Sequence, residues 1–284
     1  MMKKVLASAA LASLTVSAVS GADTAIVEPH ILEMIKSGQP VEMEYNIKAN
    51  AWVLILPITG KANFRVTMNE NTYAIKSKVK TTGLADILVN YDLEIAASGY
   101  TRTDGLHTYA FVSQNRDGKK NRRVDLKYLK DDFEMTATPR FGNLGEPPAT
   151  VEQALDAKDP VTALISFALE PRAAGEDPCG GPLKIFDGRQ LTHLHLTNHG
   201  MTNVKSEAWS GEAYECHIRM DKVAGYKAGE SDKDNLSGID GPLRMWLAPL
   251  GNGAHVPVRI EAETEDIGTV TLQAAKLKFT PLEN

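Results

Sequence analysis

The sequence predicts a mostly β protein whose antiparallel sheet is closed or strongly curved. Three observations support this fold class: apolar and polar residues alternate along about a dozen short segments, turn-forming residues separate these segments, and only two segments have helical spacing. Strict alternation is typical of a strand with one buried face. A sheet of so many strands has to protect its edges, which closure or strong curvature does.

The predicted strands follow one another with few interruptions. In residues 41–47 four apolar side chains alternate with three polar ones, which predicts a half-buried strand. The continuous apolar run 52–58 and the alternating segment 62–68 predict two adjacent strands separated by Gly60. The same patterns predict strands at residues 73–79, 91–97, 108–112, 123–128, 133–138, 183–186, 191–196, 213–220, 243–248, 256–262 and 269–279.

Two segments have the spacing of a helix instead. Three apolar residues of the segment 82–89 fall on one helical face. In residues 160–169 apolar side chains occur on more than one face, Asp159 is a suitable N-cap, and Pro160 suits the first turn. This second helix would suit the inside of a half-barrel. The space beside it is either filled by core side chains or open to an acyl chain.

The first 22 residues predict a secretory signal peptide. Lys3 and Lys4 precede a run of apolar and small residues at 5–19, and small residues suited to cleavage follow. The run is shorter than the roughly 20 residues of a membrane-spanning helix, so we expect release rather than anchoring. We therefore divide the chain into a signal peptide (1–22), a lead segment (23–40) and a single β domain (41–284) in the periplasm.

The charge of the chain disfavours nucleic acid as a partner. The sequence has 31 basic and 36 acidic residues, a net charge of −5. Loss of Lys3 and Lys4 leaves 29 basic residues against 36 acidic ones, a net charge near −7, which does not neutralise phosphates. The one basic cluster, at residues 119–123, is either a solvated hairpin flank or a contact for anionic lipid headgroups.

The chain has two cysteines, Cys179 and Cys216. In an oxidising compartment we expect them to form a disulfide. The closed loop of 38 residues would stabilise the fold by up to about 4 kcal/mol. A metal site is disfavoured because neither cysteine has a second one at C-x-x-C spacing, and a catalytic thiol is disfavoured because no cation lies near Cys179 in the sequence.

Histidines provide the weak candidates for a metal site. His193 and His195 alternate on one predicted strand, which places both imidazoles on one face about 7 Å apart. Zinc would need a further ligand from His199, His217 or a carboxylate. The alternative is an ordinary polar strand face, and we predict no metal and no cofactor.

Catalytic patterns have little support. No Gly-x-Ser-x-Gly elbow occurs. Asp131 and Asp132 form an acidic pair, and Glu261, Glu263 and Glu265 alternate along a strand, which is the pattern of a solvent-facing strand surface. We assign no catalytic residue.

Short motifs along nearly the whole chain identify a family. The sequence from about residue 41 to 277 resembles the exported bacterial proteins grouped as domain of unknown function 3108 (DUF3108). The motifs are residues 104–106 (DGL), 122–124 (RRV), 159–164 (DPVTAL), 186–189 (FDGR, after Cys179), 224–226 (AGY, after Cys216), 246–247 (WL), 256–259 (VPVR) and 267–268 (IG).

This resemblance implies a periplasmic antiparallel sheet curled into a half-barrel or β-spiral around a central helix. It also implies a distant likeness to envelope-integrity proteins and to periplasmic lipoprotein carriers. The family has no established activity, and the cysteine pair is the form of its alphaproteobacterial members. Phe186, Asp187, Gly188 and Arg189 would be the signature turn, with Arg189 reaching a carboxylate or carbonyl across the sheet.

We expect a non-enzymatic periplasmic protein that supports cell-envelope integrity. Binding of a lipid or another envelope component in the curve of the sheet is one way to do so. Two alternatives stay open. One is a hydrolase or metal-binding enzyme that acts on envelope material through His193, His195 or buried carboxylates. The other is a scaffold that binds periplasmic proteins by a sheet edge.

Overall fold

The computed structural model describes residues 38–53, 56–82, 91–102, 105–117, 121–228, 241, 243–251, 253–264 and 268–283. The predicted signal peptide 1–22 and most of the lead segment 23–40 lie outside these residues. So does the helix predicted at 82–89, except for Thr82, which ends a strand. Within the described residues the mostly β, antiparallel class is confirmed: thirteen strands form one sheet, with two short helices.

The strands are β1 (Val41–Val53), β2 (Leu56–Met68), β3 (Thr72–Thr82), β4 (Asp92–Arg102), β5 (Gly105–Asn115), β6 (Arg122–Tyr128), β7 (Phe133–Thr138), β8 (Leu183–Phe186), β9 (Leu191–Lys205), β10 (Ser210–Ala224), β11 (Leu243–Pro249), β12 (His255–Thr264) and β13 (Gly268–Pro281). Helices α1 (Val151–Leu155) and α2 (Pro160–Leu169) lie between β7 and β8 in the chain.

The sheet joins two runs of hairpins through its terminal strands. Its order is β7-β6-β5-β4-β3-β2-β1-β13-β12-β11-β10-β9-β8, and all neighbours are antiparallel. β1 pairs with β2 on one side and with β13 on the other. The described sheet is therefore not closed by backbone pairing, and β7 and β8 are its two ends.

The prediction of a single strand at residues 52–58 is wrong. Val53 pairs directly with Leu56, so this apolar run contains the end of β1 and the start of β2. A continuous apolar run has no period that distinguishes a single strand from two strand ends. The pairing instead runs unbroken from Val41 opposite Met68 to this tip.

One face of the sheet carries the main core. Along β1, Val41, Met43 and Tyr45 are buried, and the residues between them are partly exposed. A second buried cluster surrounds the two cysteines and contains Phe167, Leu196, Ile218, Met245 and Leu247. The alternation in the sequence therefore predicted the core face correctly.

Helix α2 lies against strands from both halves of the sheet. Asp159 is its N-cap and accepts hydrogen bonds from the amides of Val161 (3.1 Å) and Thr162 (2.9 Å), as its sequence position predicted. The Tyr73 hydroxyl of β3 lies 2.8 Å from Thr162 Oγ1. On the other side, the amide of Phe186 in β8 donates to the carbonyl of Lys158, just before the helix, at 2.9 Å. Eight of the ten residues of α2 are buried.

The predicted disulfide between Cys179 and Cys216 is present. The Cα atoms lie 5.7 Å apart, and both side chains are buried. The bond ties the loop after α2 to β10. Such a bond favours an extracytoplasmic location. Within the described residues, no helix has the length and apolar character that crossing a membrane requires.

Candidate functional site

The candidate histidines of β9 lie beside the carboxylate of Asp221, which is opposite His193 in the register. His195 Nε2 lies 2.7 Å from Asp221 Oδ2, and His193 is only partly buried. Burial, reinforced by the charge of Lys184, lowers the pKa of His193. Among the described residues, no three His, Cys, Asp or Glu side chains are grouped as a metal site requires. His199 instead stacks on His217, with 3.6 Å between ring centroids.

The strand carboxylates are occupied by ion pairs. Arg259 Nε donates to Glu261 at 2.9 Å, and Arg244 lies 3.6 Å from the same carboxylate. Glu263 lies 3.3 Å from Arg244, and Glu265 is outside the described residues. Asp132 accepts from the next amide along the chain, that of Phe133, at 2.8 Å. The described groups stabilise neighbouring strands and turns.

The signature residues form the loop from β8 to β9. Asp187 Oδ1 accepts from the amides of Arg189 (2.8 Å) and Gln190 (2.7 Å), which closes the loop. Gly188 has φ of 96°, and a Cβ there would lie 3.0 Å from Val124 Cγ1. This loop therefore packs closely against β6, at the other end of the sheet.

Arg189 contacts a loop residue and not a group across the sheet. Its Nη2 donates to the side-chain oxygen of Asn143 at 3.0 Å, and its guanidinium carbon lies 5.6 Å from the centre of the Phe141 ring. Asn143 and Phe141 both precede α1 in the chain. The signature loop thus fixes the segment between β7 and the helices, which is a structural role.

A fully buried carboxylate, Asp159, precedes α2, and a partly buried one, Asp187, follows β8. Burial raises the pKa of both Asp159 and Asp187, while the hydrogen bonds they accept oppose the rise. Thr108 Oγ1 donates to Asp159 Oδ2 at 2.7 Å. Asp159 caps α2, and Asp187 closes the loop after β8, so both carboxylates stabilise the local fold.

A groove on the face opposite the core is the strongest candidate for a ligand site. Its volume is about 760 Å³, within the range of small-molecule sites. The charged side chains that line it alternate with buried ones, as Glu44 does with Met43 and Tyr45. The lining residues are Glu44, Asn46, Asn63, Phe64, Arg65, Lys76, Ser77, Lys78, Glu94, Ile95, Ala96, Val112, Gln114, Arg116, Arg123 and Lys276.

The groove is cationic although the chain is acidic. Six of its lining residues are Lys or Arg, and two are Glu. Strand twist and register bring these cations together from β2, β3, β6, β13 and the residue after β5. One of them, Arg123, forms an ion pair with the nearby Asp125, with 2.6 Å between Nη2 and Oδ1. An excess of positive charge remains, which favours an anionic ligand.

The two glutamates of the groove are each held between two cations. Lys276 and Arg65 both approach Glu44, with Arg65 Nη2 at 3.5 Å from Glu44 Oε1. The hydrogen bond from Lys276 lowers the pKa of Glu44. Lys78 at 2.5 Å and Arg116 at 3.0 Å do the same for Glu94. Both carboxylates therefore stay ionised at neutral pH.

Lys76 is the lining cation that is available to pair with a ligand. It lies opposite Arg65 on one side and Ala96 on the other. In the part of the chain that the structure describes, no carboxylate lies within ion-pair distance of its ammonium group. Lys76 is also exposed, so an incoming anion can reach it without breaking an existing pair.

The floor of the groove is partly apolar. Ala96 and Val112 are directly opposite each other in β4 and β5, on the same face as the cations. Phe64 and Ile95 also border the groove, but their side chains belong to the core face of the sheet. Cations beside an apolar floor fit a ligand that has an anionic head and a hydrocarbon portion.

A smaller cavity of about 450 Å³ lies between α2 and β8. Its charges balance, because Lys158 lies 3.1 Å from Glu170 and Lys184 lies 2.5 Å from Asp156. Arg172 also lines it, with its guanidinium carbon 4.5 Å from the ring centre of Phe167. This cavity offers less excess charge than the groove.

The family model decides the classification of the chain. A family described as proteins of unknown function, DUF3108, matches residues 42–275. The chain belongs to the DUF3108 family. The resemblance seen in its sequence motifs is thus confirmed, and the DUF3108 description names no activity. No curated protein matches the chain.

Two solved structures are similar to this DUF3108 protein at low identity. One is a β-barrel-like protein of domain of unknown function DUF1849 from Brucella abortus. It has 10% identity and a TM-score of 0.49, and the match covers 85% of this chain and 98% of that one. The other is a DUF1329 family protein from Desulfovibrio piger, with 9% identity, coverage of 87% and 88%, and a TM-score of 0.25. Neither likeness bears on function.

Proposed function

We propose that this DUF3108 protein is a non-enzymatic periplasmic protein that supports cell-envelope integrity by binding an anionic amphiphile, such as a lipid, in the groove of β1–β6 and β13. The observation that carries the proposal is the groove itself, in which Lys76, unpaired among the described residues, and five ion-paired cations border the apolar side chains of Ala96 and Val112. The disulfide and the predicted signal peptide support the compartment.

We further propose that the sheet is a half-barrel or β-spiral curled around α2. Two observations support this shape. Helix α2 is joined to β3 through Tyr73 and to β8 through Lys158. The end strands β7 and β8 approach each other, with the rings of Phe133 and Phe186 at 5.3 Å.

The shape affects where the ligand would bind. The face toward α2 is filled by large side chains that are almost fully buried, among them Met43, Ile75 and Leu126, and Ile165 of α2 is buried as well. The groove is on the other face, open to solvent and rich in cations. The acyl-chain site is therefore proposed there, and not beside the helix.

The experiment is native mass spectrometry with lipid extraction of protein purified from its own periplasm. We expect the wild type to retain an anionic, phosphate-bearing lipid. A Lys76→Glu variant should retain much less, because the substitution places a negative charge where the head group binds.

The matched control is Lys205→Glu, which makes the same change at an exposed lysine of β9, outside the groove lining. It should retain lipid like the wild type. Repeated preparations of wild-type protein without any bound lipid would refute the proposal. Equal loss from both variants would show that overall charge, and not the groove, determines retention.

A further inference from the structure

A pair of exposed tyrosines lies beyond the groove on β4 and β5. Tyr100 and Tyr109 are 43% and 40% exposed, and their ring centroids lie 6.1 Å apart in an edge-on arrangement. They lie on the same face as the groove residue Ala96, because Tyr100 is four residues further along the same strand. Two adjacent exposed rings form a contiguous apolar patch, the kind of surface feature that marks binding sites when single exposed residues do not.

A bulge in the sheet presents the second tyrosine. Ser98 pairs with Ala110 and Gly99 pairs with Thr108, so Tyr109 is an extra residue in β5. A Cβ at Gly99 would lie 1.9 Å from the carbonyl oxygen of His107, so the close approach of the two strands requires glycine. The backbone here is shaped to place Tyr109 beside Tyr100.

Cations accompany both rings. The guanidinium carbon of Arg102 lies 5.8 Å from the centre of the Tyr100 ring, and Lys127 Nζ lies 5.6 Å from that of Tyr109. Glu134 is opposite Lys127 in the register and is the acidic residue beside them on β7. Together with the groove, this face of β1–β6 carries more cations than carboxylates.

We propose that the Tyr100–Tyr109 surface docks the protein onto an anionic phospholipid bilayer. Tyrosine rings are suited to the headgroup region, since they have an apolar body and a polar tip. Arg and Lys beside them complement lipid phosphates. The attraction is local, because the chain as a whole is acidic. Docking on this face would also direct the groove toward the bilayer from which an amphiphile could enter.

Docking goes beyond the proposed function and can succeed or fail without it. It concerns the tyrosine surface and requires no ligand in the groove. A groove that retains lipid with no affinity for vesicles would leave the proposed function intact and refute docking. Vesicle binding by protein that retains no lipid would support docking and refute the proposed function.

The test is flotation of the purified protein with vesicles of phosphatidylcholine alone or of phosphatidylcholine mixed with phosphatidylglycerol. We expect flotation with the mixed vesicles at low salt, and little with phosphatidylcholine alone. Joint substitution of Tyr100→Ser and Tyr109→Ser should abolish most of the flotation with the mixed vesicles. Lys127→Gln should weaken the vesicle affinity roughly fivefold, the contribution of one cation near an anionic surface.

Met201→Ser is the matched control, because Met201 is 42% exposed on β9 and lies outside this surface. It should float like the wild type. Thermal unfolding of each variant checks that the fold is kept. The proposal is overturned if wild-type protein does not float with mixed vesicles, if it floats equally with both vesicle types, or if the double tyrosine variant floats as well as the Met201 variant.

Discussion

The ring of Phe133 in β7 packs edge-on against the ring of Phe186 in β8, with 5.3 Å between their centroids. These strands are the two ends of the described thirteen-strand order, and they lie far apart in sequence. The sheet ends therefore meet through side chains and not through backbone hydrogen bonds. Gly188 lies close to the same end of the sheet, since a Cβ at this position would lie 3.0 Å from Val124 Cγ1 and 3.3 Å from Met135 Cγ.

We expect Phe186→Ala to lower the free energy of unfolding by roughly 3–5 kcal/mol, because Phe186 is only 1% exposed. A double-mutant cycle with Phe133→Ala should give a coupling of about 0.5–1.5 kcal/mol in denaturant unfolding. Leu144→Ala, at an exposed residue, should change stability by less than about 0.5 kcal/mol. Zero coupling would contradict a direct contact between the sheet ends.

Reduction of the disulfide should loosen the second half of the sheet. Cys179→Ala with Cys216→Ala should lower the free energy of unfolding by up to about 4 kcal/mol, measured in denaturant. A reductant should shift the wild-type midpoint and leave the variant unchanged. Hydrogen exchange should rise in β9–β11 and stay low in β3–β5. An equal rise in both groups of strands would contradict this local role.

Asp159 should make stability depend on pH. Burial raises the pKa of Asp159 in the folded protein. The stabilisation that this residue gives is therefore fully present below its pKa in the unfolded chain, and it is lost as the pH rises through its pKa in the folded protein. Asp159→Asn keeps a capping oxygen without the charge, so the stability of this variant relative to the wild type should increase with pH. Asp159→Ala should cost about 1 kcal/mol or more through the lost cap. Denaturant unfolding at acidic and neutral pH measures both. A wild-type-to-Asn difference that does not vary with pH would contradict the prediction.

Binding of an anionic lipid in the groove should not change between about pH 7 and pH 5, a range in which an unperturbed histidine gains charge. Paired cations hold the pKa values of Glu44 and Glu94 below their usual range, so both carboxylates keep their charge across it. Below the pKa values of these carboxylates, binding should become tighter as their charge is lost. Titrations of lipid binding at several pH values would measure this, and a large change of affinity between pH 7 and pH 5 would contradict the prediction.

Much of the fold could be predicted because its strands are local patterns. Alternation predicts the buried residues of β1 and β3, and Asp159-Pro160 predicts the start of α2, since a cap and its helix are neighbours in sequence. The disulfide followed from having two cysteines. The pairing of β1 with β13 could not be read in this way, because it joins residues far apart in the chain.

The groove could not be predicted from the sequence. Lys76 and Lys78 are the ordinary polar side of an alternating strand, and the same is true of Arg65 and Glu94. Their convergence depends on register and twist across seven strands. The one sequence signal was the basic cluster at 119–123, which contributes Arg123 to the lining and has residues 119 and 120 outside the described part.

The most direct test of ligand binding is calorimetric titration of delipidated protein with a short-chain anionic phospholipid, with its zwitterionic analogue as the reference. The wild type and Lys205→Glu should bind the anionic lipid more tightly than the analogue. Lys76→Glu should weaken anionic binding at least about tenfold, the equivalent of losing one charged contact. Equal affinity of Lys76→Glu and wild-type protein for the anionic lipid would contradict the groove as the binding site.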